Sequence, residues 1–456
     1  MNTRRQFLVG SLSAGALFGM STGCRPRDPL ARPSGRPNLT VGVLSDIHIN
    51  AGRLEQTLAP FRRALEYFRD EGADAVLIAG DMADSSNPKE LEGVGRVWRE
   101  VFPDNKAPDG RVVEKIFLYG NHDMGGALRG EREAAWERCF GEKFAPIYAK
   151  TVKGYTFICA HWGCEGGLPD FLKAHQAELA GTKPFFYAQH PHPYDTCSEK
   201  WAWGHDNGTS TKCLSAFPNA VAFSGHSHYP LTDERVVWQG AFTSIGTSSL
   251  SYSSTDYLYR ENMPRGGRRD PRPLRMSSLS TGDGKQGLLL DVYDDCICLK
   301  RREFVKGLSL GDDWVVPVPV PTTGETPYYA FAPRAAQRTA PAFDAGAVAT
   351  VKADEKAKKW IVTFPGARTR NKCRVFEYEV TAIATAEDVE TVAAQRRVMA
   401  KDYYQPDSET PPEGECHFAW EDLPQKMPLR FEVRPMECFG RKGDPIRTTN
   451  IVEPKG

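Results

Sequence analysis

Residues 39–84 read LTVGVLSDIHINAGRLEQTLAPFRRALEYFRDEGADAVLIAGDMAD, and their order decides the fold. Leu39–Ser45 is a short apolar run that ends on Asp46-Ile47-His48, and Ala75–Gly80 is a second that ends on Asp81. Both have the length and the turn-forming boundaries of strands buried on two faces. Between them Leu54, Leu58, Phe61, Leu65 and Phe68 recur at i, i+4, i+7, i+11 and i+14. That spacing predicts a helix with one apolar face, and Gly72 stops it. Strand, helix and strand predict a layered α/β domain, in which ligands gather beyond the carboxyl ends of the strands.

The phrase then repeats. Ile116–Gly120 precedes Asn121, Tyr155–Ala160 precedes His161, Phe185–Gln189 precedes His190, and Val221–Gly225 precedes His226. The strand-end motifs are Asp46-Ile47-His48, Gly80-Asp81, Gly120-Asn121-His122-Asp123, His190 and Gly225-His226-Ser227-His228. Their carboxylate, amide and imidazole groups are hard oxygen and borderline nitrogen donors, suited to Mn²⁺, Fe or Zn²⁺ and not to a thiolate site. Seven donors fit two divalent cations sharing one carboxylate, roughly 3.5–4 Å apart, a pair that can clamp a phosphoryl group. Gly80, Gly120 and Gly225 sit where backbone must pass close to the donors.

In this order the motifs resemble those of the calcineurin-like metallophosphoesterases, over about residues 38–310. The resemblance implies a layered metallophosphoesterase β-sandwich flanked by helices. It implies that Asp46, His48 and His228 hold one metal, that Asp81 bridges, and that Asn121, His190 and His226 complete the second. His122 is then no ligand: it faces the phosphate and protonates the leaving group, while Asp123 pairs with its imidazole and holds it charged. The implied reaction is hydrolysis of a small phosphate monoester or diester by in-line attack of metal-bound hydroxide. Asp84 stands where purple acid phosphatases carry a metal-binding Tyr, which disfavours that branch. Gln189-His190-Pro191-His192-Pro193 departs from the family's His-His-Pro. His190 is taken as the ligand because it ends the apolar run; His192 is the alternative, or a substrate contact. His161 is either a substrate-facing group or a structural one. Trp162, Trp201, Trp203 and Tyr194 either wall a pocket or pack loops.

The flanks read differently. Met1–Cys24 carries Arg4-Arg5, Phe7-Leu8 and a short Gly/Ala/Ser-rich apolar run, and it resembles a twin-arginine export signal. Ser21-Thr22-Gly23-Cys24 resembles a lipobox that would anchor Cys24 to lipid. The expected partners are therefore the twin-arginine translocon and a small phosphate ester, and the expected location is the periplasm or, lipid-anchored, the envelope. Residues 25–37 read as an exposed Pro/Arg tether. The catalytic domain is expected over 38–315. Gly287–Val292, Asp294-Asp295 and Cys296–Arg301 read as a hairpin. Residues 316–345 read as a Pro-rich linker with few contacts, and 346–456 as a small β-sandwich whose last strands resemble a fibronectin type III hairpin (Phe431 to Pro445). Asp354–Lys359 reads as a solvated charge run. Among eleven cysteines, Cys416 and Cys438 are the expected disulfide pair.

Composition narrows the function. Lysine plus arginine and aspartate plus glutamate both total 58. Residues 1–37 hold six arginines and one acid, leaving 52 bases against 57 acids, a net −5, over 38–456. An acidic body argues against a dedicated nucleic-acid binder and so against a nuclease. With 40% hydrophobic residues the chain can bury a core. The remaining rival is an adhesive or binding protein with an inactive phosphoesterase domain, disfavoured because all seven donor positions and His122 are filled.

Overall fold

The computed structural model describes residues 30–198, 204–255, 275–276, 279–281, 284–369, 374–401 and 411–453. The export-like segment 1–24, with Arg4, Arg5 and Cys24, lies outside the described residues, as do Trp201 and Trp203. Two sheets face each other. In the first, β1 (Leu39–Leu44), β2 (Ala75–Ala79) and β3 (Glu114–Leu118) run parallel, with Val43 opposite Leu77 and Leu77 opposite Ile116. In the second, β4 (Ile147–Val152), β5 (Tyr155–Ala160), β6 (Phe185–Ala188), β7 (Ala220–Ser224), β8 (Val237–Gln239) and β9 (Thr243–Gly246) stand in the order β4-β5-β6-β7-β9-β8. The expected hairpin joins the first sheet: β10 (Gln286–Val292) lies antiparallel to β1, followed by β11 (Cys296–Glu303) and β12 (Trp314–Pro317).

Strands with both faces apolar bury both. Leu39, Val41, Val43, Leu77, Phe157, Phe186 and Phe223 meet between the sheets. On the outer face of the first sheet lie α1 (Leu54–Asp70), α2 (Pro88–Val101) and α3 (Arg132–Phe140). The face of α1 that the spacing predicted is the buried one: Leu58, Phe61, Leu65 and Phe68. Asn87 caps α2, and the buried Glu90 accepts from the backbone N–H groups of Ser85 (2.9 Å), Asn87 (3.2 Å) and Ala51 (2.9 Å). One carboxylate thus ties the loop after β2 to the start of α1. Leu168, Leu172 and Leu214, on two short helices, cover the second sheet.

Two expectations about the flanks are corrected. Residues 316–345 are not a loose linker. Val316, Val318 and Val320 are 0%, 1% and 2% exposed, because a Val-Pro alternation is extended and sends every second side chain inward. Beyond them Tyr329 packs in the inter-sheet core, and Arg334 of α4 (Phe331–Ala336) is buried, donating from Nη1 to the carbonyl of Val237 at 2.9 Å. The tether also docks where it is described: Arg32 pairs with Asp291 at 3.1 Å and Asp313 at 3.0 Å.

The C-terminal region is all β. One sheet holds β13 (Thr350–Asp354), β14 (Lys359–Phe364) and β17 (Gly414–Ala419), and the other β15 (Val375–Ala386), β16 (Val389–Met399) and β18 (Leu429–Glu437). Ile446–Arg447 returns antiparallel to β18, closing the hairpin expected there. Asp354–Lys359 is the turn between β13 and β14 and is largely exposed. Cys416 and Cys438 are not bridged; both thiols are buried as apolar groups, one from each sheet.

Candidate metal centre

Every candidate ligand sits just past a strand end, where the chain leaves the sheet abruptly. Asp46, His48, Asp81, His226 and His228 take left-handed backbone angles, with φ of 50, 50, 51, 69 and 56°. Such strain costs about 1–3 kcal/mol per residue and persists where its surroundings enforce it. Here the N–H groups of Asp46 and Ile47 donate to the carbonyls of Gly80 (3.0 Å) and Asp81 (2.8 Å), and that of Gly225 to His190 (3.0 Å). The strand ends are therefore laced to one another. A Cβ on Gly120 would collide with the Asp81 carboxylate, and one on Gly225 with that of Asp46. Close approach is what these glycines provide.

The donors converge. Asp46 Oδ1 lies 3.0 Å from His228 Nε2, 3.8 Å from His190 Nε2 and 3.9 Å from His48 Nε2. Asp81 Oδ2 lies 3.1 Å from His190 Nε2 and 3.8 Å from His48 Nε2, so it faces both halves of the cluster. Three groups have their ligand atoms within 4.8 Å of one another: the buried triads Asp46–His48–His228 and Asp81–His190–His226, and His48–Asp81 with the exposed His122. The far sides of the rings fix the tautomers. Nδ1 of His48 meets Asp84 Oδ1 at 3.2 Å, that of His228 the carbonyl of Tyr252 at 2.9 Å, and that of His190 the carbonyl of Ala79 at 2.7 Å. Each partner only accepts, so each Nδ1 carries a hydrogen, and Nε2 is the atom that faces the cluster and can offer a lone pair to a cation. Nε2 of His48 and of His228 face each other at 3.3 Å. The buried Oδ1 of Asn121 has no hydrogen-bond partner among the described residues. A cation between these groups satisfies all of them, so the donor set fits two divalent ions.

The charges agree. Burial would raise the carboxyls of Asp46 and Asp81, yet the surrounding histidines hold both below the usual carboxylate range. Burial pulls His190 down, but Asp81 and Asp46 outweigh it and push it up to about 10. Burial brings His226 down to about 4. Among the described residues Asp46 and Asp81 form ion pairs with histidines alone.

The profile of the calcineurin-like phosphoesterase family matches residues 39–230, the stretch that holds every one of these ligands. Residues 39–230 form a calcineurin-like phosphoesterase domain. Among solved structures, a dimetal phosphatase from Danio rerio is similar at 11% identity, covering 62% of this chain and 99% of its own, with a TM-score of 0.36. A purple acid phosphatase from yellow lupin, Lupinus luteus, shares 13% identity over 62% of this chain and 55% of its own, with a TM-score of 0.37. No functionally curated protein matches the sequence.

Within the phosphoesterase domain His122 stands apart from the triads as an exposed side chain, its ring 4.8 Å from that of His48. It also comes within ligand spacing of His48 and Asp81. Its backbone N–H donates to Asp81 Oδ1 at 2.8 Å, and its Nδ1 lies 2.7 Å from the carbonyl of Asp84. Asp123 does not pair with this imidazole. Its carboxylate turns inward and accepts from the N–H groups of Ala83 (2.7 Å), Gly120 (2.7 Å) and Met82 (3.2 Å). Burial and Asp81 push it up to about 7 against those donors. Asp123 is a brace for the ends of β2 and β3, and the Asp84 carbonyl orients His122.

His190, and not His192, reaches the centre. Both ring nitrogens of His192 are taken, Nδ1 by Ser224 Oγ and Nε2 by Ser227 Oγ, and burial brings the ring down to about 3. His161 is structural: its Nδ1 accepts from the Tyr119 N–H at 3.0 Å inside a cage of Tyr119, Trp136 and Phe144. Trp162 does wall the centre, 5.2 Å from the ring of His226 and 5.8 Å from that of His190. Sequence reading missed three contributors. Ser45 Oγ donates to Asp46 Oδ2, Asp84 steadies His48, and the Tyr252 ring lies 4.2 Å from that of His228. Asp84, three residues past Asp81, carried the one available signal.

Proposed function

We propose that the protein is an exported hydrolase of phosphate esters that works with two divalent cations. Asp46, His48 and His228 would hold one, Asn121, His190 and His226 the other, with Asp81 between them. The observation that carries this reading is the convergence of the ligand atoms of Asp46, His48 and His228 and of Asp81, His190 and His226, each set within 4.8 Å, with Nε2 of His48 and of His228 only 3.3 Å apart. Bound there, two such cations supply Lewis acidity, which draws charge from a phosphoryl group and makes nearby water more acidic.

The chain's own residues do the rest. The Asp84 carbonyl keeps the hydrogen of His122 on Nδ1, so the proton that comes and goes is the one on Nε2. Protonated there, His122 gives that proton to the departing oxygen as the ester bond breaks. Asp81 holds the His122 backbone through its other oxygen, so ligand and acid are positioned together. Trp162 stands beside His190 and His226, where its ring can pack against a bound ester. Arg4-Arg5 and the apolar run behind them support export.

One experiment tests both parts. The full chain is expressed in a bacterial host, and cell fractions are assayed with p-nitrophenyl phosphate and bis-p-nitrophenyl phosphate, supplied in turn with Mn²⁺, Zn²⁺ and Fe²⁺. Hydrolysis of at least one ester, abolished by chelator, should appear outside the cytoplasm. Hydrolysis of neither, or hydrolysis indifferent to chelator, overturns the phosphoesterase reading; activity confined to the cytoplasm overturns export.

A further inference from the structure

Beside the metal centre lies a cavity of about 640 Å³ that the motifs do not explain. Ile47, between two ligands, and Tyr252, stacked beside His228, form its wall toward the centre. Its size falls in the range of small-molecule sites. Arg53 and Arg63 of the first helical segment, with Lys285 and Lys306, line the rest. Among the described residues Glu303 is the one acid in the lining; it is buried and spends its oxygens on the N–H groups of Val305 (3.0 Å) and Lys306 (2.6 Å). Among the described lining residues basic side chains thus outnumber acids, on a body whose net charge is negative.

The neighbours sharpen the contrast. Arg62 and Arg69 of α1 pair with Glu100 and Asp70, and Arg96 of α2 pairs with Glu55. Arg53 and Arg63 line the cavity and form no ion pair among the described residues; Arg63 only donates to the carbonyl of Val305 at 3.3 Å. Two such arginines in a concave, partly apolar site concentrate field and attract anions.

We propose that this cavity receives the leaving group of the substrate, and that the leaving group carries an anionic group of its own, a carboxylate or a second phosphate. This rests on the hydrolase reading above. The substrate class is then a small phosphate ester of an anionic alcohol, held at the metal centre by the scissile phosphoryl group and in the cavity by Arg53 and Arg63.

Phenyl phosphate and 4-carboxyphenyl phosphate test it, since their leaving phenols are similar in acidity. With metal-loaded full-length protein at low salt, kcat/KM should favour the carboxylated ester by about tenfold, and added salt should erode that preference. Arg53→Gln with Arg63→Gln should bring the ratio close to one; both side chains are exposed, and an unchanged Tm verifies the fold. Equilibrium binding of phenylphosphonate and 4-carboxyphenylphosphonate reads the same preference without turnover. A ratio near one in the unaltered protein, or a preference that survives the double substitution, overturns the cavity assignment. Preferential binding of the carboxylated phosphonate with no hydrolysis of either ester upholds the cavity and overturns the hydrolase reading.

Discussion

Glu377 in β15 and Asp81 at the end of β2 are both buried carboxylates, and they obtain positive charge in different ways. Glu377 is fully buried with Arg397 Nη1 3.4 Å away, and Glu379, two residues on, has Arg397 Nη2 at 3.7 Å and Lys442 Nζ at 2.9 Å. The C-terminal sheets carry their own counter-ions, and the pairs lie along paired strands, Glu379 opposite Arg397. Asp81 and Asp46 have no lysine or arginine in ion-pair range among the described residues, only imidazoles whose Nδ1 hydrogens are mostly committed elsewhere. Burying a carboxylate without a counter-ion costs several kcal/mol, of the order of a domain's entire stability. The comparison shows two sources of positive charge: arginine and lysine in the β domain, and in the phosphoesterase domain imidazole, whose Nε2 proton a divalent cation can replace. It also explains the backbone. The C-terminal strands end mostly in hairpins and turns, whereas five ligands are held in left-handed geometry to aim at one point.

Two substitutions sharpen this contrast. His122 lies beside the charge cluster without being needed to hold it. His122→Asn should therefore keep close to the full metal content while turnover falls by roughly 10²–10⁴, the range of general acid catalysis. The loss should be smallest for p-nitrophenyl esters, whose leaving group needs little protonation, and largest for alkyl esters. Metal analysis beside kinetics on both ester types checks it. A lost cation, or an equal loss on both, would make His122 a ligand or a positioning residue. In the other region, Arg397→Met removes the guanidinium 3.4 Å from the buried Glu377. Denaturant unfolding of the C-terminal region should lose about 3–5 kcal/mol, and Glu377→Gln on top should restore much of it. A cost well under 1 kcal/mol would mean that Glu377 draws its compensation from elsewhere.

The first domain was legible because its chemistry repeats with its strands. An apolar run that ends on a donor marked the strand each time; Asp46, Asp81, His190 and His226 converge on the cluster, whereas His161, after another such run, does not. The helix between β1 and β2 followed from spacing alone. The rest depends on partners distant in sequence. That Ser224 and Ser227 would occupy both nitrogens of His192, or that the Asp84 carbonyl would take the place given to Asp123 beside His122, is decided by how loops cross after the strands end. Tyr252 follows β9 with no donor motif to mark it. The Val-Pro alternation of 316–320 was the opposite case. Its period of two carried a strand signal, but the prolines made it read as a tether.

The most direct test of the account is the metal content of the purified full-length protein, measured after loading and gel filtration, beside Asp81→Asn. The account predicts close to two divalent ions per chain in the unaltered protein and loss of metal on Asp81→Asn, because the shared carboxylate is the charge that both sites use. An unaltered protein that holds no divalent ion, or an Asp81→Asn variant that keeps both, would contradict it.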